Sequence, residues 1–214
     1  CVFDAYGTLF DVNSAAAKCK EKLGSKWEGF ANAWRTTQLE YTWLRSLMKK
    51  HKNFWEITED SLDHTMETFK IKKEMRNELL DLYKKLNPYP EVKECLEGLK
   101  AKKIKIAILS NGTPDLIRGL VKSNNIQNYF DDIFSIESVG IYKPDSKVYE
   151  LPIKKYNCKP ENICFMSSNT WDVSGGGVFG YNAVWINRLN KVFDKLSYKP
   201  KFIINNLEEL LKII

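Results

Sequence analysis

Polar side chains that could do chemistry follow four short apolar segments of this chain. They are Asp4 with Thr8, Ser110 with Asn111, Lys143, and Ser167 with Asn169 and Asp172. One aspartate after a strand is as compatible with a turn as with a functional site. In an open α/β sheet, however, ligands bind outside the carboxyl ends of the strands. Four polar strand ends at one edge therefore favour a site at that edge.

The strands that must position these residues are predicted from short apolar runs, at residues 1–3, 104–109, 133–135, 163–166, 183–186 and 202–204. From Glu91 onward the runs alternate with helical patterns, which predicts a parallel sheet with right-handed crossovers. Residues 13–87 show helical periodicity alone, which ends at Asn87-Pro88-Tyr89-Pro90. We therefore predict an α/β fold: a Rossmann-like parallel sheet core with helices on both faces (residues 1–12 and 88–214) and an inserted all-helical cap (13–87).

Two local motifs need interpretation. Ser25-Lys26-Trp27-Glu28 matches a capping box and predicts a helix start. Gly175-Gly176-Gly177-Val178-Phe179-Gly180 matches the G-x-G-x-x-G pattern of dinucleotide-binding folds. A dinucleotide site would need this run directly after a strand and an acid at the next strand end. Residues 170–174 intervene and the next strand ends at Asn187, so we interpret the glycines as part of a helix.

Composition narrows the class of protein. The chain has 214 residues, 43% of them hydrophobic, and no apolar run approaches the ~18 residues that span a membrane. Five dispersed cysteines favour reduced thiols and a cytoplasmic location. The net charge of +6 comes from scattered lysines without interleaved aromatics, which does not favour a nucleic-acid groove. Because the chain begins inside a predicted strand without Met, we expect further residues before Cys1.

The four clusters together resemble the motifs of the haloacid dehalogenase superfamily. The matching segments are Phe3-Asp4-Ala5-Tyr6-Gly7-Thr8, Leu109-Ser110-Asn111-Gly112, Tyr142-Lys143-Pro144-Asp145 and Ser167-Ser168-Asn169-Thr170-Trp171-Asp172. The resemblance spans almost the whole chain, including a cap inserted after the first motif. Each motif alone is weak, but the combination is specific.

Two substitutions and the cap indicate a branch of this superfamily. Its phosphatases have a second acid in the first motif, where this chain has Tyr6. They also have an acidic pair in the last motif, where this chain has Ser167-Ser168 at the position of the leading acid and keeps only Asp172. Without those oxygens a divalent cation has few ligands, whereas a monoanionic substrate can be bound by Lys and Arg alone. The segment from Trp34 to Arg45 also resembles the cap helix of the L-2-haloacid dehalogenase branch.

This resemblance implies hydrolytic dehalogenation of short L-2-haloalkanoic acids to D-2-hydroxy acids. It assigns Asp4 as the nucleophile that attacks C2 and forms an ester, which water then hydrolyses at its carbonyl. Lys143 would keep Asp4 ionised, and Asp172 would pair with Lys143 and act as the base for the water.

The resemblance also implies roles for other residues. The remaining expected catalytic residues are Thr8 and Ser167, which orient carboxylates, Asn169, which positions substrate or water, and Arg35, which receives the halide. The expected substrate-binding residues are Ser110 and Asn111, which hold the substrate carboxylate, Tyr149 near the lysine, and an apolar wall of Tyr6, Leu39, Phe54 and Trp171. Simpler interpretations stay open, because Arg35 could form a surface ion pair and Tyr149 and the wall could be core.

Two other functions stay open at this point: a magnesium-dependent phosphatase of the same superfamily, and a non-catalytic binding protein on the same scaffold. For the dehalogenase we expect a small 2-haloacid and a halide ion as ligands, with no cofactor, no metal ion, no nucleic acid and no membrane. The helix from Leu39 to Met48 carries more apolar surface than one face needs. We therefore predict that part of it packs in a homodimer.

Overall fold

The computed structural model describes all residues 1–214, and its centre is a six-stranded parallel sheet. The strands are β1 (Val2–Phe3), β2 (Ala107–Ser110), β3 (Asp132–Ser135), β4 (Cys164–Ser167), β5 (Asn182–Ile186) and β6 (Phe202–Ile204). Their order is β3-β2-β1-β4-β5-β6, and every neighbouring pair is parallel. The order reverses between β1 and β4, which is where ligands bind in such sheets. The predicted fold class is confirmed.

Ten α-helices accompany the sheet. They are α1 (Ser14–Lys18), α2 (Lys20–Leu23), α3 (Trp27–Leu47), α4 (Phe54–Phe69), α5 (Met75–Tyr83), α6 (Val92–Ala101), α7 (Pro114–Ser123), α8 (Ser146–Tyr156), α9 (Thr170–Phe179) and α10 (Leu210–Ile213). Helices α1 to α5 lie in the region predicted as the cap, and the division into 1–12 with 88–214 and 13–87 stays a prediction. None of the ten combines the length and apolar character needed to cross a membrane.

Helices α3 and α4 pack against each other through a buried aromatic and polar layer. The indole of Trp34 donates a hydrogen bond of 3.1 Å to the carbonyl of Thr58, and the ring of Phe30 meets the edge of Phe69 at 5.9 Å. Helix α4 starts at a capping box, because the side chain of Asn53 accepts from the backbone of Glu56 and the Glu56 carboxylate accepts from Asn53 N–H. This pair of helices forms the wall that faces the sheet edge.

Some local predictions were wrong. The Ser25–Glu28 capping box does not form, because residues 24–26 make a 3-10 turn and Lys26 occupies the N-cap with helical dihedrals and no side-chain cap. The strand predicted from Ile104 begins at Ala107. The strand does not extend back to Ile106, because the backbone N–H of Ile106 donates to the side chain of Asp131. The glycine run does lie in a helix, α9, and Pro152 lies inside α8.

Candidate active site

Asp4 lies directly after β1 and is almost fully buried, with 5% of its surface exposed. Its Oδ2 atom accepts hydrogen bonds of 2.8 Å from Thr8 Oγ1 and from Asn169 Nδ2, and a long one of 3.4 Å from Ser167 Oγ. Gly7 makes the first of these possible. Its φ of +85° turns the chain back after the strand, so that Thr8 faces the carboxylate.

Lys143 lies between two carboxylates and has no exposed surface. Its Nζ is 3.2 Å from Asp4 Oδ1 and 2.8 Å from Asp172 Oδ2. Burial alone lowers the pKa of the ammonium, but the charges of Asp172 and Asp4 outweigh burial and raise the pKa above its ordinary value. Lys143 is therefore a permanent buried cation beside Asp4.

Asp172, in the first turn of α9, is fully buried and holds Lys143 on one oxygen. Its other oxygen, Oδ1, accepts a 2.7 Å hydrogen bond from the Tyr149 hydroxyl. Burial raises the pKa of the Asp172 carboxyl to about 6, while Lys143 and the Tyr149 hydrogen bond oppose the shift. Such a carboxylate can accept a proton near neutral pH.

Tyr149, which is predicted as a substrate-binding residue, lines neither of the cavities that contain Arg35. It is fully buried, and its hydroxyl is directed at Asp172 because α8 packs against α9 at that point. Gly175 permits this approach. A Cβ at position 175 would lie 2.6 Å from the Tyr149 hydroxyl oxygen and 2.7 Å from Pro144 Cβ.

Asn169, which is predicted to position substrate or water, lines the cavity at this edge of the sheet and contacts Asp4. Nδ2 donates to Asp4 and, at 3.1 Å, to the carbonyl of Tyr6. The backbone after β4 completes this arrangement, since the N–H of Ser168 donates 2.9 Å to Thr8 Oγ1. Asp4 is thus fixed through one oxygen, Oδ2, while Oδ1 receives only the ammonium of Lys143.

Ser110 ends β2 and Asn111 follows it, on the other side of Asp4, and both are buried. The Ser110 hydroxyl accepts from the N–H of Gly112 at 3.0 Å, and the carbonyl oxygen of the Asn111 side chain accepts from the N–H of Lys143 at 3.2 Å. The hydroxyl hydrogen of Ser110 and the side-chain N–H groups of Asn111 have no acceptor in the protein. They are donors that an anion could use.

Arg35 approaches this edge from α3. It lines a cavity of about 380 Å³ together with Gly7, Asn169 and Trp171. Its Nη1 donates 2.9 Å to the side chain of Gln38, which in turn donates to Thr58 Oγ1 and Tyr83 Oη at 2.7 and 3.0 Å. Arg35 is therefore held by a hydrogen-bond network of helices α3, α4 and α5 instead of forming a surface ion pair.

The predicted apolar wall is only partly assembled at this cavity. Tyr6 packs on Phe54 with ring centroids 5.1 Å apart, and its hydroxyl is buried without a hydrogen-bond partner. Trp171 lines the cavity and meets the ring of Trp43 at 5.5 Å. Leu39 is half-buried on α3 and lines neither of the cavities that contain Arg35.

Sequence reasoning missed Arg188, whose guanidinium contacts the backbone of Gly7 and Thr8 at 3.4 and 2.9 Å. A signal was available, because Arg188 lies just after β5 at the same edge of the sheet as the other polar residues. No three His, Cys, Asp or Glu side chains converge in a way that could hold a metal ion.

The family profile of haloacid dehalogenase-like hydrolases matches residues 1–180. (S)-2-haloacid dehalogenase 1 of Pseudomonas sp. (strain CBS-3) is 40% identical over 100% of this chain and 95% of that protein. A solved dehalogenase structure that is 36% identical has a TM-score of 0.98 and covers 100% of this chain and 96% of its own.

The L-2-haloacid dehalogenase of Xanthobacter autotrophicus, solved with chloropropionic acid covalently bound, is 30% identical with a TM-score of 0.92. The structural match covers 99% of this chain and 96% of the Xanthobacter chain. The similarity thus extends over nearly the whole chain. The chain belongs to the haloacid dehalogenase-like hydrolases and is similar over its full length to the (S)-2-haloacid dehalogenases among them.

Proposed function

We propose that this protein hydrolyses short L-2-haloalkanoic acids to D-2-hydroxy acids, with Asp4 as the nucleophile. The observation that carries the proposal is the unequal environment of the two Asp4 oxygens. Oδ2 accepts from Thr8 and Asn169, whereas Oδ1 faces only Lys143. Oδ1 therefore has the lone pair available for attack, and the buried ammonium keeps the carboxylate ionised.

Charge also favours this substrate class. A 2-haloacid carries one negative charge, which the unused N–H and O–H donors of Ser110 and Asn111 can bind as a carboxylate. Asp4 and Asp172 do not form a binding site for a divalent cation, because Lys143 already occupies the space between them. A phosphate dianion opposite Asp4 would meet repulsion that a single buried lysine does not offset.

In the first step, Asp4 Oδ1 attacks C2 from the side opposite the halogen. A C–O bond forms, the carbon–halogen bond breaks, and the halide leaves with the bonding pair, which inverts the configuration at C2. Arg35, held by Gln38 at the cavity, is the cation that receives the halide. A guanidinium among aromatic side chains suits a large, weakly hydrated anion.

In the second step, water attacks the carbonyl carbon of the Asp4 ester. The negative charge then develops on Oδ2, the oxygen that already accepts from Thr8 and Asn169. Donors placed in advance around that oxygen stabilise the tetrahedral intermediate. Asp172, whose pKa burial raises, is the acceptor of the proton from water. Collapse of the intermediate breaks the bond between the carbonyl carbon and Oδ1, and the departing alkoxide takes up the proton held by Asp172 to give the hydroxy acid. Asp4, which now has one oxygen from water, loses its remaining proton to solvent and is restored as the carboxylate.

A direct test measures chloride released from L-2-chloropropionate by the purified protein in EDTA, with the D enantiomer in parallel. We expect release from the L form only, and none from the Asp4→Asn variant. Phosphate release from p-nitrophenyl phosphate that requires magnesium, without chloride release, would support a phosphatase instead. Binding of L-2-chloropropionate with no turnover by the wild-type protein would support a binding protein.

We further propose that the protein is a cytoplasmic homodimer. Leu44, Leu47 and Met48 at the end of α3 expose 51%, 79% and 60% of their surfaces. Such a cluster of large apolar side chains on one helix is typical of a buried interface. The five free thiols agree with a reducing compartment.

A further inference from the structure

Arg188 is a partly buried arginine that no step of the proposed reaction uses. It follows β5, and 14% of its side chain is exposed. Its guanidinium lies 3.8 Å over the ring of Tyr89, and Nε and Nη2 contact Glu91 Oε1 at 2.9 and 2.8 Å. Glu91 neutralises the charge of Arg188. What distinguishes this arginine is therefore the direction of its N–H groups and not its charge.

The other contacts of Arg188 join two loops of the site. Nη1 donates to Ser168 Oγ at 2.9 Å and to the carbonyl of Gly7 at 3.4 Å, and Nη2 donates to the carbonyl of Thr8 at 2.9 Å. These two carbonyls receive no hydrogen bond from the backbone. Arg188 is thus the donor that satisfies the turn after the nucleophile.

This turn determines where Asp4 is held. Thr8 donates to Asp4 Oδ2, and the Thr8 hydroxyl itself accepts from the N–H of Ser168. The guanidinium therefore fixes both members of the Thr8–Ser168 contact, one through its carbonyl and the other through its hydroxyl. A shift of this turn would rotate the Asp4 carboxylate and change the direction of Oδ1.

We propose that Arg188 is a positioning residue for the nucleophile, acting through Thr8 and Ser168. This inference rests on the proposed dehalogenation. The five N–H groups of Arg188 face Glu91 Oε1, Ser168 Oγ and the carbonyls of Gly7 and Thr8, which leaves none for substrate. Arg188 lines the same cavity as Arg35, but Arg35 alone keeps donors for a ligand.

The test compares Arg188→Lys with Arg118→Lys, a control on α7 where the arginine is largely exposed. A lysine keeps the charge near Glu91 but cannot bridge three oxygens in a plane. Because misplacement of a reacting group by about 1 Å costs on the order of 100-fold, we expect kcat of Arg188→Lys to fall roughly 10- to 100-fold with KM within about twofold. The control should keep both constants.

Two further measurements separate positioning from stability. Ser168→Ala removes one contact of Arg188 and leaves the arginine in place, so kcat should fall by a smaller factor. Its effect should largely disappear in the Arg188→Lys background. In single turnover, the rate of ester formation on Asp4 should fall in both variants at temperatures well below their melting points.

The outcomes are distinct. If kcat of Arg188→Lys equals that of the wild type, the positioning role is overturned and the dehalogenase proposal stays intact. If the lysine variant does not fold, an unchanged kcat of Ser168→Ala has the same meaning. A lower melting temperature with unchanged kcat would overturn it as well. Absence of chloride release by the wild-type protein would overturn both proposals.

Discussion

The hydroxyl of Tyr149 lies 2.7 Å from Asp172 Oδ1, on the carboxylate oxygen that Lys143 does not contact. Asp172 thus has one donor on each oxygen, and all three residues are fully buried. The tyrosine stabilises the ionised form of Asp172, and the pKa of that carboxyl would be still higher without it.

Tyr149→Phe should therefore move the pH dependence of turnover. Asp172 accepts a proton only as the carboxylate, so activity falls as the pH drops through its pKa. Loss of a hydrogen bond to the charged form raises that pKa, and we expect the acid limb of kcat to move up by about one pH unit. Tyr156→Phe removes a similar 2.8 Å contact with Asp132 outside the site and should leave the limb in place. An unmoved limb in Tyr149→Phe would contradict the role of Asp172 as the base.

Gly175→Ala tests the packing that brings Tyr149 to Asp172. In a helix, alanine is intrinsically favoured over glycine by about 1 kcal/mol, but here its Cβ would lie 2.6 Å from the Tyr149 hydroxyl. We expect a net loss of stability and a fall in kcat of roughly tenfold, because the tyrosine must move.

Gly119→Ala on α7 is the matched control, since no atom lies within 4 Å of a Cβ built there. It should raise the free energy of unfolding by up to about 1 kcal/mol with unchanged kcat. Equal behaviour of the two variants in thermal denaturation and steady-state assays would show that Gly175 is not needed for the approach.

Lys143→Met should abolish turnover and lower the free energy of unfolding by about 3–5 kcal/mol, because it leaves Asp4 and Asp172 buried without a cation. Without the opposing charge of Lys143, burial would hold the pKa of the Asp172 carboxyl still further above its value in the unfolded chain. A folded state that binds protons more tightly gains stability as the pH falls, so the variant should recover stability between pH 7 and 5.

Urea denaturation at several pH values measures the free energy of unfolding of Lys143→Met, with Lys100→Met as the control. Lys100 forms a partly exposed ion pair with Asp131 at 2.9 Å, and its loss should cost no more than about 1 kcal/mol. A Lys143→Met protein as stable as the control at pH 7 would contradict the charge balance of the site.

Leu47→Glu tests the proposed dimer. Leu47 exposes 79% of its surface on α3, and a charge there would be buried without a partner in an interface. Light scattering at micromolar concentration should give twice the monomer mass for the wild type and the monomer mass for the variant. Leu196→Glu, at a leucine that is 53% exposed outside α3, should stay dimeric. A monomeric wild-type protein would rule out the interface.

Much of the fold could be predicted from the sequence because each strand is a short apolar run with a polar residue at or just after its end, and β1, β2, β4 and β5 are largely buried. Five of the six predicted strands lie within one residue of their observed limits. The start of β2 could not be predicted, since it depends on a hydrogen bond from Ile106 to Asp131, which lies 25 positions away in the chain. The Ser25 motif failed for a local reason, a 3-10 turn that precedes α3.

The positions of the site residues could likewise be predicted only in part from the sequence. Motif spacing was enough to predict that Asp4 and Lys143 lie at one edge of the sheet. It could not show that Asn169 donates to Asp4, or that Tyr149 donates to Asp172, because both hydrogen bonds depend on side-chain direction. The role of the glycine run became clear only from packing: Gly175 faces Tyr149, and a Cβ at Gly176 would lie 2.8 Å from the Phe165 ring.

The most direct test of the ester route is one turnover of L-2-chloropropionate in heavy-oxygen water with enzyme in excess. Water attacks the carbonyl of the Asp4 ester in the proposed mechanism, so the oxygen that leaves with the hydroxy acid comes from Asp4. Mass spectrometry should find the heavy oxygen in the peptide containing Asp4 and none in the product of this first turnover. Label in the hydroxy acid and an unlabelled Asp4 would show direct attack of water at C2 and would contradict the account.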